Sequence, residues 1–439
     1  MAVDLAKVAK QKNIRYCLIS YPDLFGVARS KLVPARAIGQ MQRDGAGFAG
    51  FATHLDMTPA DPDMFARPDP ASLMILPWNR EVGWLAADLY MEGKPVEASP
   101  RVVLERQIER AAKKGYRLKT GVECEYFLID ADGTALADAR DTQDKPCYDQ
   151  QALMRRYAVI TEICDGMGEL GWGPYQNDHE DANGQFEMNW DYDDALVTAD
   201  RHTFFKFMVK SIAEKHGLRA TFMPKPFRNL TGSGCHAHAS VWDRGGTKNL
   251  FHDAKGELGL SKLAYTFLGG VLGHAEALCS FFNPTVNSYK RINAPVTLSG
   301  ATWSPNTISY GGNNRTHMVR IPDAGRFEFR LMDGAANPYL MQAALLAAGL
   351  DGIEKKSDPG KRLDINMYEH RRDKDFSRLK VRRLPLNLLD ALRFTDKSTM
   401  LRKAFGDATI ESYIKLKARE WNDFCGHLTD WERSHTLDC

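Results

Sequence analysis

Three short stretches of this chain place charged or imidazole side chains at every second position, in sequence typical of β-strands. They are the segments 121–127 (GVECEYF), 232–238 (GSGCHAH) and 325–330 (GRFEFR). Successive side chains of a strand point to opposite faces, so the polar residues of each segment share one face and the apolar residues share the other. Three such polar faces predict one curved sheet with a highly charged floor. Such a floor suits cations and phosphates.

The composition is that of a globular protein, and 439 residues are enough for one large or two ordinary domains. The 58 basic and 56 acidic residues leave a net charge of +2, which argues against a nucleic-acid partner, because such a partner needs a clustered basic face. The N-terminus lacks the apolar core of a signal peptide, and no apolar run is long enough for a membrane span. Eight scattered cysteines without a CxxC pair favour reduced, buried thiols in a cytoplasmic protein.

Turn signals and helical periodicity divide the chain into a small strand-rich part and a larger mixed part. Prolines within 59–70 indicate a long irregular connection in the first part. Pro100 begins a helical pattern over 101–114, and we expect a domain boundary just before it. Further helices are predicted over 149–170, 200–216, 262–282, 337–351, 385–405 and 410–425. The fold class is therefore α+β, with predicted domains at 1–98 and 99–439.

A fourth segment, 177–187, adds acidic residues on both sides of a turn signal at Asn183 and Gly184. Glu180 and Glu187 could therefore end and begin two paired strands and converge. The candidate metal ligands are five carboxylates and one imidazole: Glu123, Glu125, Glu180, Glu187, Glu328 and His236. Two or three hard divalent cations require about this many donors, and oxygen ligands favour Mg²⁺ or Mn²⁺.

A cationic set accompanies the acidic one: Arg291, Arg315, Arg320, Arg326 and Arg330. Guanidinium groups bind carboxylate and phosphate oxygens through paired hydrogen bonds. Carboxylates and arginines in one site indicate metal-bridged phosphoryl transfer near an anionic substrate. Each pattern alone is commonly a solvated surface, but that explanation would have to account for every segment separately.

Nine ordered motifs along nearly the whole chain resemble the glutamine synthetase family. They are 23–31 (DLFGVARSK), 121–127, His179-Glu180 with 184–187 (GQFE), 221–226 (TFMPKP), 232–238, 283–291 (NPTVNSYKR), Asn314-Arg315 through 320–322 (RIP), 326–330 and 336–339 (ANPY). The resemblance implies a small β-grasp N-terminal domain and a large catalytic domain on a curved antiparallel sheet flanked by helices. It also implies a homo-oligomer, a dodecamer of two stacked hexameric rings, with sites between subunits.

The resemblance further implies a role for each candidate residue. One metal ion would be bound by Glu125, Glu180 and Glu187, and a second by Glu123, His236 and Glu328. The substrate glutamate would be held by Arg291 and Arg330, with the backbone of Gly232 near its amino group. The nucleotide would be contacted by Tyr192, His238 and Ser240, and phosphate by Arg315, Arg320 and Arg326. The candidates for an amine-side pocket are Asp23 and Tyr148.

The activity that the resemblance implies is ATP-dependent ligation of glutamate to a small amine through γ-glutamyl phosphate, releasing ADP and phosphate. In ammonia-using bacterial members, a flap after the Tyr-Lys-Arg motif carries a glutamate that closes the site. Here Asn293 stands at that place in a shorter segment, and Thr231 replaces the asparagine usual before the glycine-rich turn. Because asparagine cannot accept a proton at neutral pH, we expect a larger amine, methylamine, as the acceptor. A glutamine synthetase using ammonia is the alternative.

Two other classes stay open. A non-catalytic protein of this fold should have lost ligands, whereas all six metal positions and all five arginines are present. A guanidino kinase has a related charged sheet, but the glutamate-type pair Arg291 and Arg330 disfavours it. Tyr368 lies in a segment that resembles one which some family members adenylylate, although a surface tyrosine is the commoner explanation.

Overall fold

The first part of the chain forms a mixed β-sheet with two helices. The computed structural model describes residues 3–297, 299, 302–370 and 373–439. The elements of this part are α1 (Leu5–Gln11), β1 (Tyr16–Pro22), β2 (Ala28–Pro34), α2 (Ile38–Asp44), β3 (Ala46–Phe48), β4 (Met64–Pro68), β5 (Met74–Ile75), β6 (Val82–Met91) and β7 (Lys94–Pro95). The strand order is β2-β1-β6-β4-β3, with β5 and β7 also pairing with β6. Strand β6 runs parallel to β1 and antiparallel to β4, as expected of a β-grasp sheet.

The proline-rich stretch 59–70 is less irregular than predicted, because it contains strand β4. Met64 and Ala66 are buried while Phe65 between them is exposed, which is the alternation of a half-buried strand. Pro68 is the last residue of β4, and a strand end tolerates a residue that has no N–H to donate.

The second part alternates helices with strands. Its elements are α3 (Pro100–Lys113), β8 (Tyr116–Cys124), β9 (Tyr126–Ile129), α4 (Gln150–Arg155), α5 (Tyr157–Glu169), β10 (Gln176–His179), β11 (Gln185–Asn189), β12 (Asp193–Asp194), α6 (Ala195–Lys215), β13 (Arg219–Thr221), β14 (Cys235–Asp243), α7 (Lys262–Phe282), α8 (Ser288–Ile292), β15 (Thr307–Ile308), β16 (Tyr310–Gly311), β17 (Val319–Arg320), β18 (Phe327–Phe329), α9 (Pro338–Lys355), α10 (Asp373–Leu379), β19 (Arg382–Arg383), α11 (Leu388–Asp396), α12 (Thr399–Phe405), α13 (Asp407–Cys425) and α14 (Asp430–Thr436). Two predicted helices, 149–170 and 385–405, are each divided into two. Arg156 leaves helical geometry between α4 and α5, with φ −109° and ψ 13°.

Two sheets form the floor of the second part. One has the strand order β12-β8-β14-β18-β17-β16 and the other β10-β11-β9-β13. Only Glu125 separates β8 from β9, so the first sheet bends directly into the second. The pairing is antiparallel except between β16 and β17, which are parallel. The predicted α+β class with a curved, largely antiparallel sheet is confirmed. The predicted boundary between residues 98 and 99 falls between β7 and α3, and the division into domains stays a prediction.

Helices pack behind this floor and make it rigid. Helices α3 and α6 contact β8, and α9 contacts α3, α6 and α7. The approach of α7 to α9 is close enough to require glycine, since a Cβ at Gly270 would lie 2.2 Å from the carbonyl oxygen of Ala348. None of the described helices is long and apolar enough to cross a membrane. All eight cysteines are free thiols, of which four are buried, fewer than predicted.

A buried arginine joins the two parts of the chain. The side chain of Arg101, 1 % exposed, lies 2.6 Å from Asp69, 2.7 Å from Asp88 and 3.2 Å from Asp200. Asp69 and Asp88 belong to the first part, whereas Asp200 lies on α6. Burial opposes the guanidinium charge, but Asp200 and Asp88 raise the pKa of Arg101 well above its usual value.

We expect the substitution Arg101→Met to destabilise the protein by about 3–5 kcal/mol, because it leaves several carboxylates without their shared cation. Thermal unfolding should show a fall of several degrees in Tm. The control is Arg80→Ala, which breaks an exposed pair of 2.6 Å with Glu169 and should cost less than about 1 kcal/mol. Equal shifts in the two variants would show that burial of the Arg101 cluster contributes nothing.

Candidate functional site

Strand register gathers the charged side chains of three distant segments on one face. Glu123 on β8 lies opposite His236 on β14, and His238 two residues later lies opposite Glu328 on β18. Arg320 on β17 pairs in turn with Glu328. Because opposite residues in a sheet point to the same face, these five side chains form the predicted charged floor.

A cavity of about 550 Å³ opens above this floor. The structure brings together in its lining all six predicted metal ligands and six other predicted site residues. They are Glu123, Glu125, Glu180, Glu187, His236 and Glu328, with Tyr148, Gly232, Arg291, Arg315, Arg320 and Arg330. We call it the carboxylate cavity.

Several of its carboxylates lack a positive neighbour, and Glu180 and Glu187 show the consequence. Burial, and then the nearby Glu125, raise the pKa of Glu180 well above its usual value. Burial raises the pKa of Glu187 in the same way, followed by Glu123 and Glu180. Among the described residues, no arginine, lysine or histidine nitrogen lies within 4.0 Å of either carboxylate. A bound divalent cation would remove this repulsion, so the donor set fits a metal ion.

Imidazoles accompany the other carboxylates. His236 Nδ1 lies 3.3 Å from a Glu123 oxygen and 3.6 Å from a Glu328 oxygen. Burial alone would raise the pKa of Glu123, but His238 and His236 lower it well below its usual value. Burial likewise opposes ionisation of Glu328, yet Arg330 and His236 lower its pKa to about 2. The carboxylates of Glu123 and Glu328 therefore stay ionised and can serve as ligands at neutral pH.

The distances between ligand atoms add residues that the sequence analysis missed. Among the described residues four sets of donor atoms lie within 4.8 Å of one another. One is the buried set Cys124, His202 and Cys235, and the other three belong to the charged floor: Glu123, Glu187 and His236; Glu123, His238 and Glu328; and Asp178, Glu180 and Glu187. Glu125 is in none of these sets, since one of its oxygens accepts hydrogen bonds from Gly234 N and Gln185 Nε2. Asp178 stands two residues before Glu180, so the period-two alternation could have found it.

Arginines line the same cavity beside Glu328. Glu328 accepts hydrogen bonds from Arg330 and, at 2.6 Å, from Arg320. Arg291 is different, because its guanidinium is buried and donates to the carbonyl oxygens of Leu331 and Arg330. No carboxylate of the described residues lies within 4.0 Å of Arg291. Its charge is therefore available to an anion that enters the cavity.

Glycine is required in the 232–234 turn because the backbone there packs directly against Arg291. A Cβ at Gly232 would lie 2.4 Å from the carbonyl oxygen of Pro224 and 3.0 Å from the Arg291 side chain. At Gly234 it would lie 2.7 Å from an Arg291 nitrogen and 2.9 Å from His236 Nε2. Only glycine allows the backbone this close to both groups.

A second cavity of about 250 Å³ shares the lining residue Glu123 with the first. Its lining contains the predicted nucleotide residues Tyr192, His238 and Ser240, and also Arg326. Arg326 donates to His238 Nδ1 at 2.9 Å, so His238 Nε2 donates to Glu123 at 2.8 Å. Tyr192 is 53 % exposed and therefore offers an aromatic face to a ligand.

Two residues that the sequence analysis singled out line neither of these two cavities. Asp23 lines neither cavity of its own chain, and its buried carboxylate accepts hydrogen bonds from Arg29, His54 and the N–H groups of Phe25 and Val27. These bonds engage both oxygens and fix the carboxylate in its turn, and the role of Asp23 in an amine pocket stays a prediction. Asn293 caps the end of α8, where its side-chain amide donates to the carbonyl oxygens of Tyr289 and Leu386. Ser299 and Trp303 from the following segment line the carboxylate cavity instead.

Comparison with known proteins decides the family. A family model described as the glutamine synthetase catalytic domain matches residues 97–436. The chain belongs to the glutamine synthetase family. It is 64 % identical over its whole length to a glutamine synthetase of Rhizobium leguminosarum bv. phaseoli, which it also covers completely. It is 43 % identical to a glutamate–methylamine ligase of Methyloversatilis universalis, covering 98 % of this chain and 97 % of the other.

Solved structures agree with this membership. A GmaS–ADP complex, GmaS being a γ-glutamylmethylamide synthetase, superimposes with a TM-score of 0.95 at 64 % identity and covers 99 % of this chain and 100 % of the other. GmaS without ligand gives 0.93 at 62 % identity, with the same coverage. The predicted resemblance is thus confirmed, and so is the predicted class of ATP-dependent glutamate–amine ligase. Members of the glutamine synthetase family use ATP and divalent metal ions.

Proposed function

We propose that the protein joins the γ-carboxylate of glutamate to methylamine, consuming ATP and releasing ADP and phosphate. The observation that carries this proposal is that Glu123 lines both cavities, which places them side by side. An aromatic face and basic groups line one cavity, as a nucleotide requires. Carboxylates and an unpaired buried arginine line the other, as metal ions and an amino acid require.

The first step is transfer of the terminal phosphoryl group of ATP to glutamate. Arg291 and Arg330 hold glutamate by its carboxylates, while Tyr192, His238 and Ser240 contact the nucleotide. A glutamate γ-carboxylate oxygen attacks the terminal phosphorus, the bond to ADP breaks, and γ-glutamyl phosphate forms. Arg315, Arg320 and Arg326 face the transferring group and neutralise its spreading charge.

The six acidic and imidazole ligands named above would hold two or three Mg²⁺ or Mn²⁺ ions. Bound there, such ions supply Lewis-acid neutralisation of phosphate charge. The chain's own residues set the geometry, because Glu125 is held by Gly234 and Gln185 and Glu328 by two arginines. Rigid side chains of this kind avoid reorganisation during the reaction.

The second step is attack of the free amine on the acyl carbon. The carbon–oxygen bond to phosphate breaks, phosphate leaves with that oxygen, and the amine loses a proton. Tyr148 lines the cavity and is proposed to border the amine. Water must be excluded at this stage, since it would hydrolyse the acyl phosphate.

Methylamine is favoured over ammonia by the shortened segment after Arg291. The side chain of Asn293 is turned to backbone carbonyls, so it adds no acidic wall above the carboxylate cavity. The likeness to GmaS structures supports the same acceptor. Close relatives named glutamine synthetase make ammonia the second candidate.

An amine panel tests this choice. With glutamate, ATP and Mn²⁺ or Mg²⁺ present, phosphate release should have a higher kcat/KM for methylamine than for ammonia. A clear preference for ammonia at equal free-base concentration rejects methylamine. Stimulation by neither amine would point to a polyamine or an aromatic amine.

The setting of the enzyme is also proposed from the family. We expect a cytoplasmic homo-oligomer, a dodecamer of two stacked hexameric rings, with each site between two subunits. Asp23 supports an intersubunit arrangement, since its segment lines neither the carboxylate cavity nor the nucleotide cavity of its own chain.

The substitution Tyr192→Ala should raise KM for ATP about 10-fold, because an aromatic face contributes about 1–3 kcal/mol when it stacks on a base. KM for glutamate should stay constant in steady-state assays. The control is Tyr157→Ala, which removes a similarly exposed tyrosine from α5, outside both cavities. An unchanged KM for ATP in the Tyr192 variant would remove this residue from the nucleotide site.

A further inference from the structure

Asp181 is a carboxylate of the carboxylate cavity to which the proposed mechanism gives no task. It follows Glu180 directly and is 8 % exposed. Its Oδ2 accepts hydrogen bonds from the hydroxyl groups of Thr231, at 2.8 Å, and Ser299. Both donors are neutral. Among the described residues, no arginine, lysine or histidine nitrogen lies within 4.0 Å of Asp181.

A buried carboxylate without a cation is costly unless a cation arrives. The cavity's own cations do not supply one, because Arg320 and Arg330 bond to Glu328 and Arg291 bonds to backbone carbonyls. Lys145 and Arg315 also line the cavity, but neither lies within 4.0 Å of Asp181. The negative charge of Asp181 is therefore left for a ligand.

We propose that Asp181 forms the subsite for a primary ammonium group, an inference that rests on the proposed function. Two such groups enter that reaction, namely the α-ammonium of glutamate and the protonated methylamine. Thr231, which donates to Asp181, precedes Gly232, the residue proposed to lie near the amino group of glutamate. Arg291 and Asp181 thus flank the 231–234 turn with a cation and an anion, neither of which has an oppositely charged group within 4.0 Å in the part of the chain that the structure describes, matching the two charges of an α-amino acid.

The same carboxylate can serve the acceptor amine. Asn293 provides no negative charge above the cavity, whereas Asp181 provides one within its wall. An alkylammonium ion entering near Glu180 would meet Asp181 as its hydrogen-bond acceptor.

The experiment compares Asp181→Asn with wild type in two arms. Asparagine keeps an acceptor for Thr231 and Ser299 but removes the charge. In the first arm glutamate is varied with saturating hydroxylamine, which is uncharged at neutral pH, and γ-glutamyl hydroxamate is measured. In the second, methylamine and hydroxylamine are each varied at saturating glutamate. Asp181→Glu, which keeps the charge, should show a smaller loss.

A rise of about 10- to 100-fold in KM for glutamate assigns Asp181 to the α-ammonium group. A fall of similar size in kcat/KM for methylamine, with hydroxylamine unchanged, assigns it to the acceptor. Both results support the subsite. Kinetics equal to wild type overturn it.

Two controls separate charge from structure. Asp144→Asn removes the same charge from an exposed position and should match wild type. Ser299→Ala removes one of the two hydrogen bonds to Asp181 and keeps the carboxylate. An equal loss of activity in this variant would mean that Asp181 acts only by holding Ser299, and it would overturn the subsite. If wild type forms no hydroxamate at all, the proposed function fails and the subsite fails with it.

Discussion

Glu187→Gln should lower kcat/KM by about 10³-fold or more while making the metal-free protein more stable. Glu187 is buried among Glu123, Glu180 and Glu125, and without a cation its charge is repelled by all three. Glutamine keeps the shape of the side chain and removes one negative charge, so the metal-free folded state becomes more stable. The loss of several kcal/mol of charge neutralisation in the transition state accounts for the loss of activity.

Thermal unfolding with and without Mn²⁺ measures both effects. Wild type should gain stability on adding the ion, because an ion that binds only the folded state stabilises it. The variant should begin at a higher Tm and gain little. The control Glu109→Gln changes an exposed residue of α3 and should behave as wild type. A variant that keeps both activity and the Mn²⁺-dependent shift would exclude Glu187 as a ligand.

Arg291→Gln should raise KM for glutamate about 100-fold and leave KM for ATP unchanged. Its guanidinium is buried, and burial lowers its pKa from the usual value. Among the described residues it donates to backbone carbonyls and has no carboxylate within 4.0 Å, so its charge can bind an anionic ligand. Charged hydrogen bonds contribute about 1.5–3 kcal/mol, which corresponds to this change in affinity.

Stability should change much less than affinity. Removing the buried charge relieves a desolvation cost but also removes the guanidinium that favours the ionised form of the buried Asp333, so we expect the Tm of Arg291→Gln without glutamate to stay close to that of wild type. Lys290→Ala, which removes a charge from the exposed neighbour on α8, is the matched control. A large fall in Tm together with unchanged KM for glutamate would make Arg291 a structural residue.

The charged floor could be predicted because strand alternation is local. Glu123, His236 and His238 share a face by the geometry of a strand alone, whatever lies around them. That β8 and β14 pair with Glu123 opposite His236 could not be read from composition, since these residues are more than one hundred positions apart. The resemblance to a family implies only that Glu123 and His236 share one metal ion.

Other parts of the site depend on tertiary packing. The bonds of Asp181 to Thr231 and Ser299 join residues 50 and 118 positions apart, and no local pattern marks them. The hydrogen bonds that hold the Asp23 carboxylate within its own turn likewise required the structure, and its role in an amine pocket stays a prediction. Asn293 was recognised as a departure, but its bonds to Tyr289 and Leu386 required the structure. Tyr368 is half-buried, and its hydroxyl donates to the carbonyl oxygen of Arg315, a bond that also required the structure.

The central claim is that glutamate is activated as an acyl phosphate above the carboxylate floor. Glutamate labelled with ¹⁸O in its γ-carboxylate, reacted with ATP and methylamine, tests it by mass spectrometry of the released phosphate. The account predicts one ¹⁸O atom in each phosphate, because the bridging oxygen leaves with phosphorus. Phosphate without label, formed together with the amide, would contradict it.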